Sequence, residues 1–228
     1  DIYLVNEYGG IVGRPILTAC LDAYSSLCCG YALTWEGGMY SLRQLMLNVV
    51  TDKQELCKKH GININPQEWD SSMCPGVLVT DQGTEYVSNC FEKIAELGVK
   101  VVNLPVYRPE LKGTIEKFFS IIQDLFRPYL KGRGLIEPDF QERGAHDYRK
   151  DACLTLEQFE KILIRCIIYY NSQRIIENFP YTEDMLESKV APYANDIFKY
   201  GMNLEGVNLV KVDKRQLMLT LLPRTTGK

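Results

Sequence analysis

Apolar residues come in strand-length runs up to Trp35, and from Ser41 stretches at helical spacing alternate with further short strand-length runs. Asp1-Ile2-Tyr3-Leu4-Val5 reads as a first strand, and Asn6 to Gly13, with three glycines, as a hairpin connection. Pro15–Asp22 gives a second strand and Leu27–Trp35 a third, separated by the polar turn at residues 22–26. Ser41 predicts the N-cap of a helix through Leu42, Leu45, Met46, Val49 and Val50 that continues toward Lys58 and stops near Gly61. A fourth strand runs through Val77-Leu78-Val79-Thr80 to Asp81. A short helix through Phe91, Ile94 and Leu97 ends at Gly98, and Val99–Leu104 makes a fifth strand cut off by Pro105. A helix is predicted over about 113–127, ending at Pro128, and the stretch 130–153 reads as loop. Thr155 with Gln158 forms a capping box for an amphipathic helix over 156–171. Leu209–Val212 and Gln216–Leu222 read as strands without partners, so the tail is expected to be loosely held.

The order of strands and helices is that of a mixed α/β domain ending near residue 175, followed by an extended tail. Its 228 residues, 46% hydrophobic and 24% charged, suit one globular domain with an appended piece. No apolar run reaches membrane-spanning length, and the start lacks the pattern of a secretory signal, so a membrane association is not expected. Asp1 already lies in a strand, which reads as an internal position of a longer protein. Eight cysteines without C-x-x-C pairs, and only His60 and His146 beside them, give no zinc spacing. Reduced core cysteines in a cytoplasmic setting fit this usage.

The candidate chemistry lies in Asp81 and Glu116, 35 residues apart. A carboxylate closing a buried strand and another near a helix start can converge on one divalent cation, as two-metal phosphoryl transfer requires. Both residues also have ordinary structural uses: Asp before Gly in a turn is common, and Glu in a first helical turn suits the helix dipole. The net charge of −3 argues against a general nucleic-acid binder. The charge is uneven, however. Residues 107–150 hold nine Lys/Arg against seven Asp/Glu, which leaves 17 against 22 elsewhere. Arg108, Lys112 and Lys117 flank Glu116 and could neutralise DNA phosphates; a solvated face is the plain alternative. Phe118, Phe119, Phe126 and Tyr129 read as core packing rather than a base-stacking platform.

The residues Val77-Leu78-Val79-Thr80-Asp81-Gln82-Gly83-Thr84-Glu85-Tyr86 resemble the second-Asp box of the DDE transposases and retroviral integrases. Pro105 to Glu116 resembles their Glu box at the usual spacing, and Gly13–Thr18 with Leu21–Ser25 resembles the second and third strands of their core. Gly144–Arg149, Tyr169-Tyr170-Asn171 and Leu221-Leu222-Pro223-Arg224 are similar to the TnsB and MuA type, the last where a small β-barrel begins. The resemblance covers nearly the whole chain. It implies an RNase H-like (integrase catalytic core) fold with a mixed five-stranded sheet flanked by helices. It implies domains at 1–178, the core, and 179–228, a linker toward the barrel.

The resemblance also implies 3′-end DNA cleavage and strand transfer with two Mg²⁺ (or Mn²⁺), Asp81 and Glu116 being metal ligands and catalytic residues. Transposon ends and target DNA would be substrates, Arg14 and Arg149 would join the DNA-binding residues, and a homo-multimer with accessory transposition proteins would work in the bacterial cytoplasm or nucleoid. His146 would neighbour the site. The family's first acidic residue belongs on strand one, before Tyr3-Leu4-Val5, so the chain as written is expected to be inactive. Asp22 matches a turn position instead, and Asp1 lies on the right strand but close to the hairpin. Two rivals stay open: a catalytically incomplete RNase H-like DNA-binding or assembly module, and an RNase H-like nuclease without strand transfer.

Overall fold

The structure, a computed structural model, describes residues 1–80, 93–103, 109–138 and 146–222, with the backbone alone for residues 103 and 109–112. Strands β1 (Leu4–Val5) and β2 (Ile11–Gly13) pair antiparallel. The stretch read as a connection thus holds a strand. Asn6 closes the turn, its Oδ1 accepting from the Tyr8 and Gly10 backbone N–H at 3.0 and 2.8 Å. On its other side β1 is held by Tyr3 N–H to the Gly134 carbonyl (2.8 Å) and Val5 N–H to that of Leu154 (2.9 Å).

Strands β3 (Ile16–Leu21) and β4 (Cys28–Thr34) form the main hairpin, with a register shift that sets Leu21 opposite Cys28. Asp22 builds the connection as a turn residue, its Oδ2 accepting from both the backbone N–H and the hydroxyl of Ser25 at 2.7 Å. β4 is buried on both faces, and helix α1 (Met39–Val49) packs on it so closely that a Cβ at Gly30 would lie 2.8 Å from a Val49 methyl. Glycine is required there. α1 begins before Ser41, which is buried inside it with its hydroxyl 2.7 Å from that of Thr18. The long helix expected up to Gly61 breaks after Val49. Lys53 Nζ donates to the Asn48, Val49 and Thr51 carbonyls at 2.8–2.9 Å, closing α1, while Asp52 caps α2 (Lys53–Lys59).

Strand β5 is Cys74–Pro75, and β6 (Val77–Thr80) runs parallel to β7 (Lys100–Asn103) after a 3₁₀ turn at Lys93–Leu97. Helix α3 (Pro109–Leu130) is longer than its periodicity suggested and carries Pro128 inside. Pro128 stands one turn from the end, where a missing N–H removes one hydrogen bond and Lys131 N–H still reaches the Arg127 carbonyl at 3.1 Å. A 3₁₀ turn at Tyr148–Asp151 precedes α4 (Leu156–Ser172), which starts with the capping box of Thr155 and Gln158. Asn171, fully buried at its far end, grips the Cys28 peptide, accepting from its N–H at 2.9 Å and donating to its carbonyl at 3.1 Å.

The tail is not a pair of loose strands. Helices α5 (Glu183–Glu187) and α6 (Ala194–Gly201) lead to β8 (Leu209–Val210), which pairs with β5, and to α7 (Lys214–Thr220). Leu217, Leu219 and Leu221 alternate as in a strand, but Asp213 caps a helix, Leu217 and Leu221 are buried, and Leu219 is 57% exposed.

Two apolar clusters meet at β4. Tyr31 and Leu33 face one with Trp69, Phe118, Ile122, Phe126, Phe159 and Leu163. Ala32 faces the other with Leu45, Met46, Leu78, Ile94, Leu217 and Leu221. The architecture is α/β, but the described residues form four two-stranded pairings rather than a five-stranded sheet. β1 has only two ladder residues, and they pair with β2.

Candidate active site and basic surface

Parallel strands β6 and β7 end at the same edge, with Thr80 and Asn103 as register partners. Open α/β sheets place ligand sites outside the carboxyl ends of such strands. α3, the helix that carries Glu116, starts six residues after β7 in sequence. Asp81, next after Thr80, lies outside the described residues, as does Arg108. Lys112 falls in α3, where only the backbone is described.

Glu116 stands two turns into α3 and is exposed, as are Lys117 and Ser120, while Phe118 and Ile122 on the opposite side are buried. The apolar spacing of the helix therefore fixes the direction of the carboxylate. Of the aromatic residues read as core, Phe118 and Phe126 are buried, whereas Tyr129 is 76% exposed. Among the described residues no group of three or more His, Cys, Asp or Glu could hold a metal ion. Glu116 offers an exposed carboxylate, whose oxygens are the donor type that hard cations such as Mg²⁺ take.

Arg14 lies beside Tyr3, which leads into β1. The Arg14 guanidinium lies 5.9 Å from the centre of the Tyr3 ring and 3.8 Å from the Asp1 carboxylate. Arg149 donates from Nε and Nη2 to the two Asp147 oxygens at 2.7 and 3.2 Å, and this holds the Asp147 carboxyl below the usual carboxylate range. Arg127, exposed on α3 about three helical turns beyond Glu116, was not singled out by the sequence. His146 is exposed and pairs with Asp151 at 2.6 Å. No helix among the described residues is long and apolar enough to cross a membrane.

Comparison with known proteins gives the class. The chain is 29% identical over 229 residues to the transposon Tn7 transposition protein TnsB of Escherichia coli, covering 98% of this chain and 32% of that protein. It is 25% identical over 218 residues to the transposase for transposon Tn552 of Staphylococcus aureus, covering 90% of this chain and 43% of that one. The chain therefore spans less than half the length of these relatives, both of them transposition proteins. Residues 1–132 match the TnsB C-terminal domain family, and the chain belongs to that family. A simian T-cell lymphotropic virus intasome, solved with the PP2A regulatory subunit B56 gamma, overlays 82% of this chain and 51% of its own at 14% identity and a TM-score of 0.45.

Proposed function

We propose that the chain is the core of a DDE-type transposase with an RNase H-like fold, acting in metal-dependent 3′-end DNA cleavage and strand transfer. The observation that carries this reading is an exposed Glu116 on the helix that follows a parallel strand pair, in a member of the TnsB C-terminal domain family. Asp81 and Glu116 would hold the divalent cations, Mg²⁺ or Mn²⁺. When bound, two such ions lower the pKa of the attacking water or hydroxyl and neutralise charge on the leaving oxygen.

The residues of the chain do the rest. Phe118 and Ile122 anchor α3 so that Glu116 is presented outward, and Asp81, next in sequence after β6, would be its partner. Arg14, Arg108, Lys112, Lys117 and Arg149 contact DNA phosphates, which orient the substrate without reading its sequence. Residues 1–178 form the core. Residues 179–228 lead toward a following barrel and pack on the core through Leu217 and Leu221. Transposon ends and target DNA are the substrates, bound by a homo-multimer with accessory transposition proteins in the bacterial cytoplasm or nucleoid.

The test is end cleavage and strand transfer by the full-length protein with Glu116→Gln and Asp81→Asn. Each variant should lose both reactions by at least a hundredfold, in line with removal of a metal-ligating or charge-stabilising group, while still binding transposon-end DNA. Cleavage at the wild-type rate in either variant would remove that carboxylate from the mechanism, and absence of cleavage by the wild type itself would leave a DNA-binding module.

A further inference from the structure

A cavity of about 560 Å³ opens between the loop at residues 65–68, the end of α4 and the start of α6, and none of its lining residues belongs to β6, β7 or α3. Ordinary ligand sites measure roughly 300–1,000 Å³. Hydrogen bonds tie its walls together. The buried Asn195 donates from its side-chain amide to the Gln67 carbonyl and accepts from the Asp70 N–H at 3.4 Å. Ile176 N–H donates to the Pro192 carbonyl at 2.8 Å, which joins the chain leaving α4 to the chain entering α6. The cavity is therefore built into the fold.

Its polar groups suit a cation. Glu68 and Asp196 bring two carboxylates to the lining, and among the described residues neither forms an ion pair. Glu68 is fixed in the loop, its Oε2 accepting from the Asn65 N–H at 2.7 Å. Ser172 gives its hydroxyl proton to the Ile168 carbonyl at 2.7 Å and so offers a ligand only lone pairs. Helix α4 also ends here, at Ser172 and Gln173. Its last turn holds no basic residue, so the negative end of its dipole meets no charge of its own. Arg174, the next cation along the chain, lies over the Tyr170 ring at 4.5 Å. Lys199 Nζ donates to the Gln67 carbonyl at 3.4 Å, which leaves one positive charge beside two negative ones.

We propose that this cavity receives an arginine side chain of a partner protein, with the partner's adjacent apolar residue laid on Ile175. A guanidinium carries five donors in a fixed fork and no acceptor, which matches two carboxylates, a hydroxyl lone pair and the free carbonyls of a helix end. Ile175 is 57% exposed and is the bridge partner of Tyr193, which lines the cavity. A small free cation would meet the charge and leave Ile175 in water, whereas a polypeptide covers both. The site stands apart from the proposed chemistry, so it binds its partner whether or not Asp81 and Glu116 hold cations.

The experiment titrates the full-length protein with the dipeptide acetyl-Ile-Arg-amide and reads binding by saturation-transfer difference NMR. Binding should be saturable, and acetyl-Ile-citrulline-amide, of the same shape without the charge, should not saturate. Asp196→Asn and Glu68→Gln should each weaken the arginine dipeptide by about tenfold or more, the size of a lost hydrogen bond to a charged group. Gln173→Arg places a cation at the end of α4 and should block the dipeptide at an unchanged thermal midpoint, a test that stands even if a carboxylate variant unfolds. Glu116→Gln should bind the dipeptide as the wild type does, which keeps this outcome separate from the catalytic reading. No saturable binding, equal binding of the two dipeptides, or full binding in Gln173→Arg overturns the proposal. Spermidine binding as tightly as the dipeptide also overturns it, because the cavity would then be a general cation site.

Discussion

Lys53 shows how one side chain can settle a local fold. Its ammonium is buried, donates to three carbonyls at the end of α1, and lies 5.7 Å from the centre of the Trp69 ring. Burial is the largest influence on it and lowers its pKa from 10.5 to about 8. Between those values the unfolded chain binds more protons than the folded one, so stability rises with pH over that window and is lost again as pH falls through about 8. The cysteines act oppositely. Cys20 is raised to about 12 and Cys57, Cys74 and Cys166 to about 11, all first through burial, so they lower stability once pH climbs past about 9. Comparing Lys53→Met with the wild type cancels the cysteines. Urea unfolding from pH 7.5 to 10.5 should show the wild type gaining on the variant by up to about 3 kcal/mol. Parallel pH curves for the two proteins would mean that Lys53 is not buried as a cation. Nothing in the sequence marked this residue, because a lysine in a polar stretch ordinarily stays in water. Glu116 was legible for the opposite reason: its neighbours Phe118 and Ile122 fix which way the helix turns.

At the level of elements, strands β3, β4, β6 and β7 and the capped start of α4 follow directly from apolar runs, turn residues and the Thr155–Gln158 box. The errors have physical causes. β2 lies in a stretch with three glycines, and its Ile11 and Val12 are half exposed, so no buried pattern announces it. Helix α7 was misread because spacings of two and four coincide in Leu217, Leu219 and Leu221, and only packing against α1 chooses between them. That packing is testable. Leu217 is fully buried, so Leu217→Ala should cost about 2–5 kcal/mol in urea unfolding. A loss below about 0.5 kcal/mol, the size of an ordinary surface change, would mean that α7 does not dock on the core.

Across the whole molecule, the strand pairs, the two clusters that share β4 and the exposed face of α3 support one proposal. Asp81, next in sequence after β6, and Glu116, on the exposed face of α3, would hold divalent cations in a transposase core. The sequence reached Asp81 and Glu116 through their boxes. The most direct measurement is Mn²⁺ binding by the full-length protein, read by electron paramagnetic resonance in the wild type, Asp81→Asn and Glu116→Gln. Saturable binding in the wild type that is lost in both variants is the predicted result. Binding of equal affinity in all three proteins would contradict it, because the cation would then be held without either carboxylate.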